Sequence, residues 1–171
     1  DYADMLTKEL DKITDRPCIL IGHSFGGRIA VQMAALHPDR VQAIILIGGA
    51  GLQRKRSIAY KTRAIVLRLL GKLARLCDSL LKSNLRQAYT NKFGSSDYKS
   101  AGDLRPTFVR VVNEDLITET KSIDCPALLI YGAEDNEAPP EIGRQFEALI
   151  QNSQYHELNG FGHLHILDRG A

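Results

Sequence analysis

A serine flanked by glycines is the first feature of this sequence that is suited to chemistry. Residues 19–30 read ILIGHSFGGRIA, which places Ser24 within the pentapeptide G-H-S-F-G. The apolar run before it is typical of a buried strand, and the run after it is typical of a helix. A serine on the sharp turn between such elements exposes its hydroxyl as a nucleophile, in the arrangement called a nucleophile elbow. The alternative is a glycine-rich turn without chemistry.

The residues around Ser24 fit the geometry of such a turn. We expect Gly22 and Gly26 to be needed, because a Cβ two positions before or after the serine would collide with the adjoining strand and helix. Gly27 gives further room. The backbone N–H of Phe25, at the positive end of the following helix, would donate to the oxyanion that forms when a carbonyl is attacked.

A serine hydroxyl needs a base, and the base needs an orienting acid. Asp135 in YGAED and His163 in GFGH follow Ser24 along the chain, each just after a strand-like run. Nucleophile, acid and histidine in this chain order are one known arrangement of a catalytic triad. We predict that Asp135 holds one imidazole nitrogen of His163, while the other nitrogen takes the proton of Ser24.

Other acids and histidines compete for these roles. Glu134 and Glu137 are alternatives to Asp135, which we favour because its shorter side chain lies directly at the turn. His165 is the alternative to His163. We favour the histidine of GFGH because the alternating sequence H-L-H sends the two rings in different directions.

We expect structural roles for the remaining histidines and for the cysteines. His23 lies inside the elbow, where its ring is expected to pack or to hydrogen-bond nearby, and His37 and His156 resemble surface or element-end residues. Cysteines occur three times, widely spaced: Cys18, Cys77 and Cys125. We expect free thiols in a reducing, cytoplasmic setting, with neither disulfides nor a metal.

The elements that must position these residues follow from hydrophobic periodicity. Short apolar runs predict strands at residues 18–21, 41–47, 126–131 and, more weakly, 154–158. Helical spacing predicts helices at residues 4–13, 25–37, 57–81 with a bend at Gly71, and 140–150. Buried strands that alternate with helices predict the α/β class, with a mostly parallel sheet and flanking helices. Ser24, Asp135 and His163 would then share the edge where the strands end.

Composition is that of an ordinary globular protein. The chain has 171 residues, of which 44% are hydrophobic and 25% charged, values that disfavour disordered and fibrous classes. Its longest apolar runs are far shorter than the roughly 20 residues of a membrane-spanning helix. The opening residues have neither the basic start nor the apolar core of an export signal.

Charge is distributed unevenly along the chain. Between residues 51 and 99 there are twelve Lys or Arg and two Asp, a net charge of +10, whereas the rest has ten basic and eighteen acidic residues, a net charge of −8. The basic region favours a small anionic or amphiphilic acyl substrate or contact with an acidic membrane surface, and its simpler interpretation is a solvated face. Nucleic-acid binding is disfavoured, because aromatic residues are not interleaved with the basic ones.

The stretches GHSFGG, YGAED and GFGH together resemble the α/β-hydrolase superfamily, in particular its many bacterial members with a helical cap. The resemblance implies an α/β core formed by residues 1–51 and 121–171, and a cap formed by residues 52–120 that walls the active site. It also implies Ser24 as nucleophile, Asp135 as acid, His163 as base and Phe25 as an oxyanion donor. Serine at the elbow implies a carboxylesterase-like serine hydrolase without cofactor, which cleaves an ester, thioester, amide or carbon–carbon bond through an acyl-enzyme.

The sequence also departs from that family. Members normally have four strands before the elbow and a loop with an H-G motif that supplies the second oxyanion donor, and these 171 residues contain neither. We therefore expect part of a longer hydrolase, whose complete fold needs further residues or a partner chain. Two other functions stay open: a non-catalytic binding or scaffolding protein, and an acyltransferase or perhydrolase with the same triad.

Overall fold

The computed structural model describes residues 2–53 and 110–168, together with residues 62, 66, 67 and 69–71 between these ranges. The chain divides into two compact units, one formed by Asp1–Arg54 with Glu114–Ala171 and the other by Lys55–Asn113. The predicted helix at 57–81 and most of the predicted cap at 52–120 lie outside the described residues. Both stay predictions.

The first unit alternates strands and helices. In chain order, its elements are α1 (Tyr2–Leu10), β1 (Cys18–His23), α2 (Phe25–Leu36), a 3-10 turn (Pro38–Arg40), β2 (Val41–Ile47), α3 (Ile117–Lys121), β3 (Ala127–Gly132), α4 (Pro140–Leu149), β4 (Ser153–Leu158) and α5 (His165–Asp168). Each predicted strand is present, with bounds that differ by two residues at most. Within the described ranges, no helix is long and apolar enough to cross a membrane.

The four strands form one sheet in the order β1-β2-β3-β4, and every neighbouring pair is parallel. The predicted α/β class with a parallel sheet is therefore confirmed. Register aligns the last residues of β1 and β2, because His23 pairs with Ile47, and Ile47 in turn pairs with Ile130, two residues before the end of β3. The segments that follow the strands consequently start from the same edge.

The core lies between the sheet and two helices that pack on one of its faces. Helix α2 packs on β1 and β2, and helix α4 packs on β3 and β4. Alternate strand residues point to these helices because side chains alternate along a strand. The largest fully buried core side chains in this layer are Met33, Ile44, Leu46, Leu129, Tyr131 and Phe146.

The predicted burial of the strand at residues 18–21 is wrong for two of its residues. Ile19 and Ile21 point away from α2, and they are 55% and 68% exposed. Strand β1 is an edge strand of this sheet, and the helix that packs on it is α2. An apolar sequence makes a strand suitable for burial, but burial also requires neighbouring elements that cover it.

Two helix ends follow local sequence, and one does not. Helix α2 ends at Leu36, before Pro38, and Pro140 is the first residue of α4, where its missing N–H costs nothing. Helix α1 covers Tyr2–Leu10 instead of the predicted 4–13. The chain continues in hydrogen-bonded turns, and Ile13 is 79% exposed instead of joining the buried face.

Tyr131 links β3 to the loop after β2 and provides a test of this core. Its hydroxyl donates a hydrogen bond to the buried carbonyl of Gly49 at 2.8 Å. Burial raises the pKa of Tyr131, which keeps the hydroxyl a neutral donor. We expect Tyr131→Phe to lower the free energy of unfolding by about 1–3 kcal/mol, measured by chemical denaturation, because it leaves a buried acceptor unpaired.

Tyr155→Phe is the matched control for this measurement. The Tyr155 hydroxyl contacts the Glu157 carboxylate at 2.7 Å in an exposed pair, where water can replace it. An equal loss of stability in both variants, or none in Tyr131→Phe, would contradict the importance of the buried bond.

Candidate active site

Ser24 has a strained backbone at the turn from β1 to α2. Its φ is 50° and its ψ is −114°, and it is the one non-glycine residue of the described ranges with positive φ. Its N–H donates to the carbonyl of Ile47, and its own carbonyl accepts from Gly27 and Ala50 at 3.1 and 3.0 Å. The turn is therefore tied to the end of β2 as well as to its own helix.

The glycines around Ser24 differ in what they permit. A Cβ on Gly22 would lie 2.6 Å from the carbonyl oxygen of Gly26, and a Cβ on Gly27 would lie 2.8 Å from Cα of Gly49. A Cβ on Gly26 meets no described atom within 4 Å. The expectation that Gly22 and Gly26 are the pair that must lack side chains is wrong for Gly26. Gly27 takes that place, because α2 approaches the end of β2 closely there.

Three of the side chains singled out in the sequence form a continuous hydrogen-bonded series. Nε2 of His163 lies 2.9 Å from Oγ of Ser24, and Nδ1 of His163 lies 2.7 Å from Oδ2 of Asp135. A carboxylate can only accept, so Nδ1 carries a proton and Nε2 is free to accept the serine proton. The three residues come from the segments after β1, β3 and β4.

Asp135 is fixed within its loop by backbone donors. Its side chain is 1% exposed, and Oδ1 accepts hydrogen bonds from the N–H groups of Glu137 and Ala138, both at 2.8 Å. Its other oxygen remains for His163. Backbone amides thus hold the carboxylate with one oxygen directed at the imidazole, which keeps the ring in one orientation.

Of the competing residues, Glu134 and His165 lie outside the hydrogen-bonded series, whereas Glu137 contacts the nitrogen of His163 that Asp135 does not hold. Glu134 is exposed, and the described ion pairs of His163 are with Asp135 and Glu137. His165 begins helix α5 and is exposed, so the H-L-H stretch is a turn into a helix and not the alternating strand that the sequence argument assumed. The ring of His23 donates from Nε2 to the carbonyl of His163 at 3.0 Å and so supports the backbone there.

Sequence reasoning missed one glycine of the site and assigned Glu137 to the wrong nitrogen of the imidazole ring. Gly48 has a φ of +50°, and a Cβ there would lie 3.1 Å from Oδ2 of Asp135 and 3.4 Å from Nδ1 of His163. The signal was available, since glycines directly follow the second strand. Glu137 places Oε2 3.6 Å from Nε2 of His163. The sequence offered Glu137 only as an alternative to Asp135, and its position beside Nε2 depends on how the loops after β3 and β4 meet.

The N-terminus of α2 lies directly after Ser24. Phe25 is the first residue of this 12-residue helix, so its N–H has no acceptor within the helix and is suited to an anion. Its ring is 40% exposed and packs edge-on against Tyr2, with ring centres 5.6 Å apart. In the part of the chain that the structure describes, no cluster of His, Cys, Asp and Glu is arranged to hold a metal ion.

Known protein structures share the fold of this chain. A hydrolase from Pseudomonas aeruginosa PA01 superposes with a TM-score of 0.63 over 97% of this chain and 65% of that one, at 19% identity. The meta-cleavage product hydrolase of Pseudomonas fluorescens IP01 superposes with a TM-score of 0.62, covers 97% of this chain and 65% of its own, and is 18% identical. The parallel sheet and these likenesses define the α/β-hydrolase fold.

Sequence comparison identifies the family within that class. Residues 1–170 match the family model described as serine aminopeptidase, S33, and the chain belongs to this family. It is 28% identical to the uncharacterized hydrolase YugF of Bacillus subtilis over 96% of this chain and 65% of that protein. It is 25% identical to 2-hydroxymuconate semialdehyde hydrolase of Pseudomonas putida over 84% of this chain and 55% of that protein. The chain thus spans less than two thirds of the length of these relatives.

The contrast between the elbow glycines is testable by alanine substitution. We expect Gly22→Ala and Gly27→Ala each to lower the free energy of unfolding by about 1–3 kcal/mol, because each new Cβ overlaps backbone atoms that cannot move aside cheaply. Gly26→Ala, in open space within α2, is expected to be neutral or to stabilise by up to about 1 kcal/mol, since alanine favours helix. Chemical denaturation measures all three. An equal loss of stability in Gly26→Ala would contradict the conclusion that Gly22 and Gly27, and not Gly26, must lack a side chain.

Proposed function

We propose that the protein is a serine hydrolase with Ser24 as nucleophile, His163 as general base and Asp135 as the orienting acid. The observation that carries this proposal is the hydrogen-bonded series from Asp135 through His163 to Ser24, with distances of 2.7 and 2.9 Å. The strained backbone of Ser24 supports it, because strain of this kind is concentrated at functional sites. Membership in a hydrolase family agrees with it.

Acylation follows from the protonation state that the geometry favours. Ser24 Oγ attacks the substrate carbonyl carbon while His163 Nε2 takes the hydroxyl proton. Asp135 stabilises the imidazolium, and the backbone N–H of Phe25 donates to the oxyanion. When the tetrahedral intermediate collapses, the bond to the leaving group breaks, and Nε2 gives its proton to the departing atom. The product is an acyl group on Ser24.

Deacylation repeats these steps with water. His163 takes a proton from a water molecule, whose oxygen attacks the acyl carbon, and Ser24 leaves with the proton returned from Nε2. Esters, thioesters and amides all fit this scheme, and so does an activated carbon–carbon bond whose leaving carbon can accept a proton. We propose that the second oxyanion donor comes from residues outside these 171.

The expected substrate preference comes from the charge of the sequence alone. The preference for an anionic or amphiphilic acyl substrate derives from the charge of residues 51–99, most of which lie outside the described residues. It stays a prediction, as does the cytoplasmic setting. An acyltransferase or perhydrolase would share every step up to the acyl-enzyme and would differ in the nucleophile that attacks it.

Single substitutions test the proposed roles through hydrolysis of an activated ester such as p-nitrophenyl butyrate. Ser24→Ala and His163→Ala are each expected to lower kcat/KM by about 10³-fold or more, because each removes a member of a unit that acts together. His165→Ala is the matched control, expected within about twofold of the native rate because its ring is exposed and outside the hydrogen-bonded series.

The outcomes separate the candidate functions. Unchanged turnover in Ser24→Ala would contradict the mechanism, and loss of activity in His165→Ala instead of His163→Ala would reassign the base. An enzyme that forms the acyl-enzyme but passes it to an added alcohol faster than to water would be an acyltransferase. A protein that never reacts at Ser24 would be the non-catalytic binding protein.

A further inference from the structure

The carboxylate of Glu137 lies beside the nitrogen that exchanges its proton with Ser24. Its Oε2 is 3.6 Å from Nε2 of His163, which already accepts from the serine hydroxyl at 2.9 Å. The Glu137 side chain is 70% exposed, whereas that of His163 is 10% exposed. Glu137 therefore lies at the solvent-facing rim of the site, next to the reacting nitrogen.

The backbone of Glu137 is held in this position by the site itself. Its N–H donates to Oδ1 of Asp135 at 2.8 Å, and the other oxygen of the same carboxylate accepts from His163. The turn that orients the imidazole thus also presents the Glu137 side chain to the far nitrogen of the ring. Asp135 and Glu137 give the surroundings of His163 a negative charge on both sides.

The position of Glu137 is on the leaving-group side of the proposed reaction. When the bond between the acyl carbon and the leaving atom breaks, the electron pair stays on the leaving atom, which takes the proton from Nε2 of His163. That atom must lie within hydrogen-bond reach of Nε2, about 3 Å away, and so within about 7 Å of Oε2 of Glu137. A substituent two or three bonds beyond the leaving atom can contact the carboxylate.

We infer that Glu137 is a specificity residue for substrates whose leaving group carries an organic cation, either a quaternary or a protonated amine. The inference rests on the proposed function, because it uses His163 as the group that protonates the leaving atom. A carboxylate at this rim attracts such a cation and repels an anionic leaving group. Because an ion pair between the Glu137 carboxylate and this cation would be exposed to solvent, we expect a preference of about two- to fivefold for the cationic over the neutral leaving group.

Two esters with one acyl group and isosteric leaving groups test this inference. Butyrylcholine carries a quaternary nitrogen where 3,3-dimethylbutyl butyrate carries a carbon atom. The ratio of their kcat/KM values is measured in the native protein and in variants, so that differences in intrinsic reactivity cancel between proteins. Glu137→Gln is expected to lower the ratio about two- to fivefold, and Glu137→Lys is expected to lower it further. A change in the basicity of His163 would act on both esters alike and so would cancel in the ratio.

Glu134→Gln is the matched control, since it removes the same charge from an exposed residue of the same loop. It is expected to keep the native ratio. An unchanged ratio in Glu137→Gln, or an equal fall in Glu134→Gln, would overturn the inference while leaving the proposed function intact. Hydrolysis of both esters at the native rate by Ser24→Ala would instead overturn the proposed function, and the inference with it.

Discussion

The left-handed backbone of Ser24 is the constraint on which the site depends. A non-glycine residue with a φ of 50° costs about 1–3 kcal/mol, and the surrounding structure must hold it there. Hydrogen bonds to Ile47 and Ala50 do so by joining the turn to the end of β2. These bonds form because β1 and β2 are parallel with His23 opposite Ile47, and because Gly27 lets α2 approach Gly49. In this conformation Oγ of Ser24 lies 2.9 Å from Nε2 of His163, within hydrogen-bond distance.

Much of this arrangement could be predicted from local sequence. Apolar runs bounded by glycine or proline located the strands, and a parallel sheet brings the segments after its strands to one edge. Ser24, Asp135 and His163 were therefore expected together, although their distances were not. The choice of Asp135 over its glutamate neighbours rested on side-chain length, and the structure adds the two amides that bind its other oxygen.

What could not be predicted depends on packing between distant segments. Gly26 resembles a required glycine in the pentapeptide, but the close contact falls one residue later, where α2 meets the end of β2. Ile19 and Ile21 look buried until their neighbours are known. Counting charges along the chain gave a basic central region, whereas the ion-pair partners that the structure describes for His163 are the acids Asp135 and Glu137. Because electrostatic interactions weaken with distance, the carboxylate 3.6 Å from Nε2 of His163 is the charge on which the inference about the leaving group rests.

Covalent labelling with a fluorophosphonate tests the central claim most directly, because the reagent requires a serine that is activated and not merely exposed. The rate of labelling is followed by peptide mass spectrometry in the native protein and in Asp135→Asn. We expect the label on Ser24, and we expect the variant to react more than about a hundredfold more slowly, because the amide favours the wrong imidazole tautomer. Labelling elsewhere, no labelling, or equal rates in the two proteins would contradict the proposed triad.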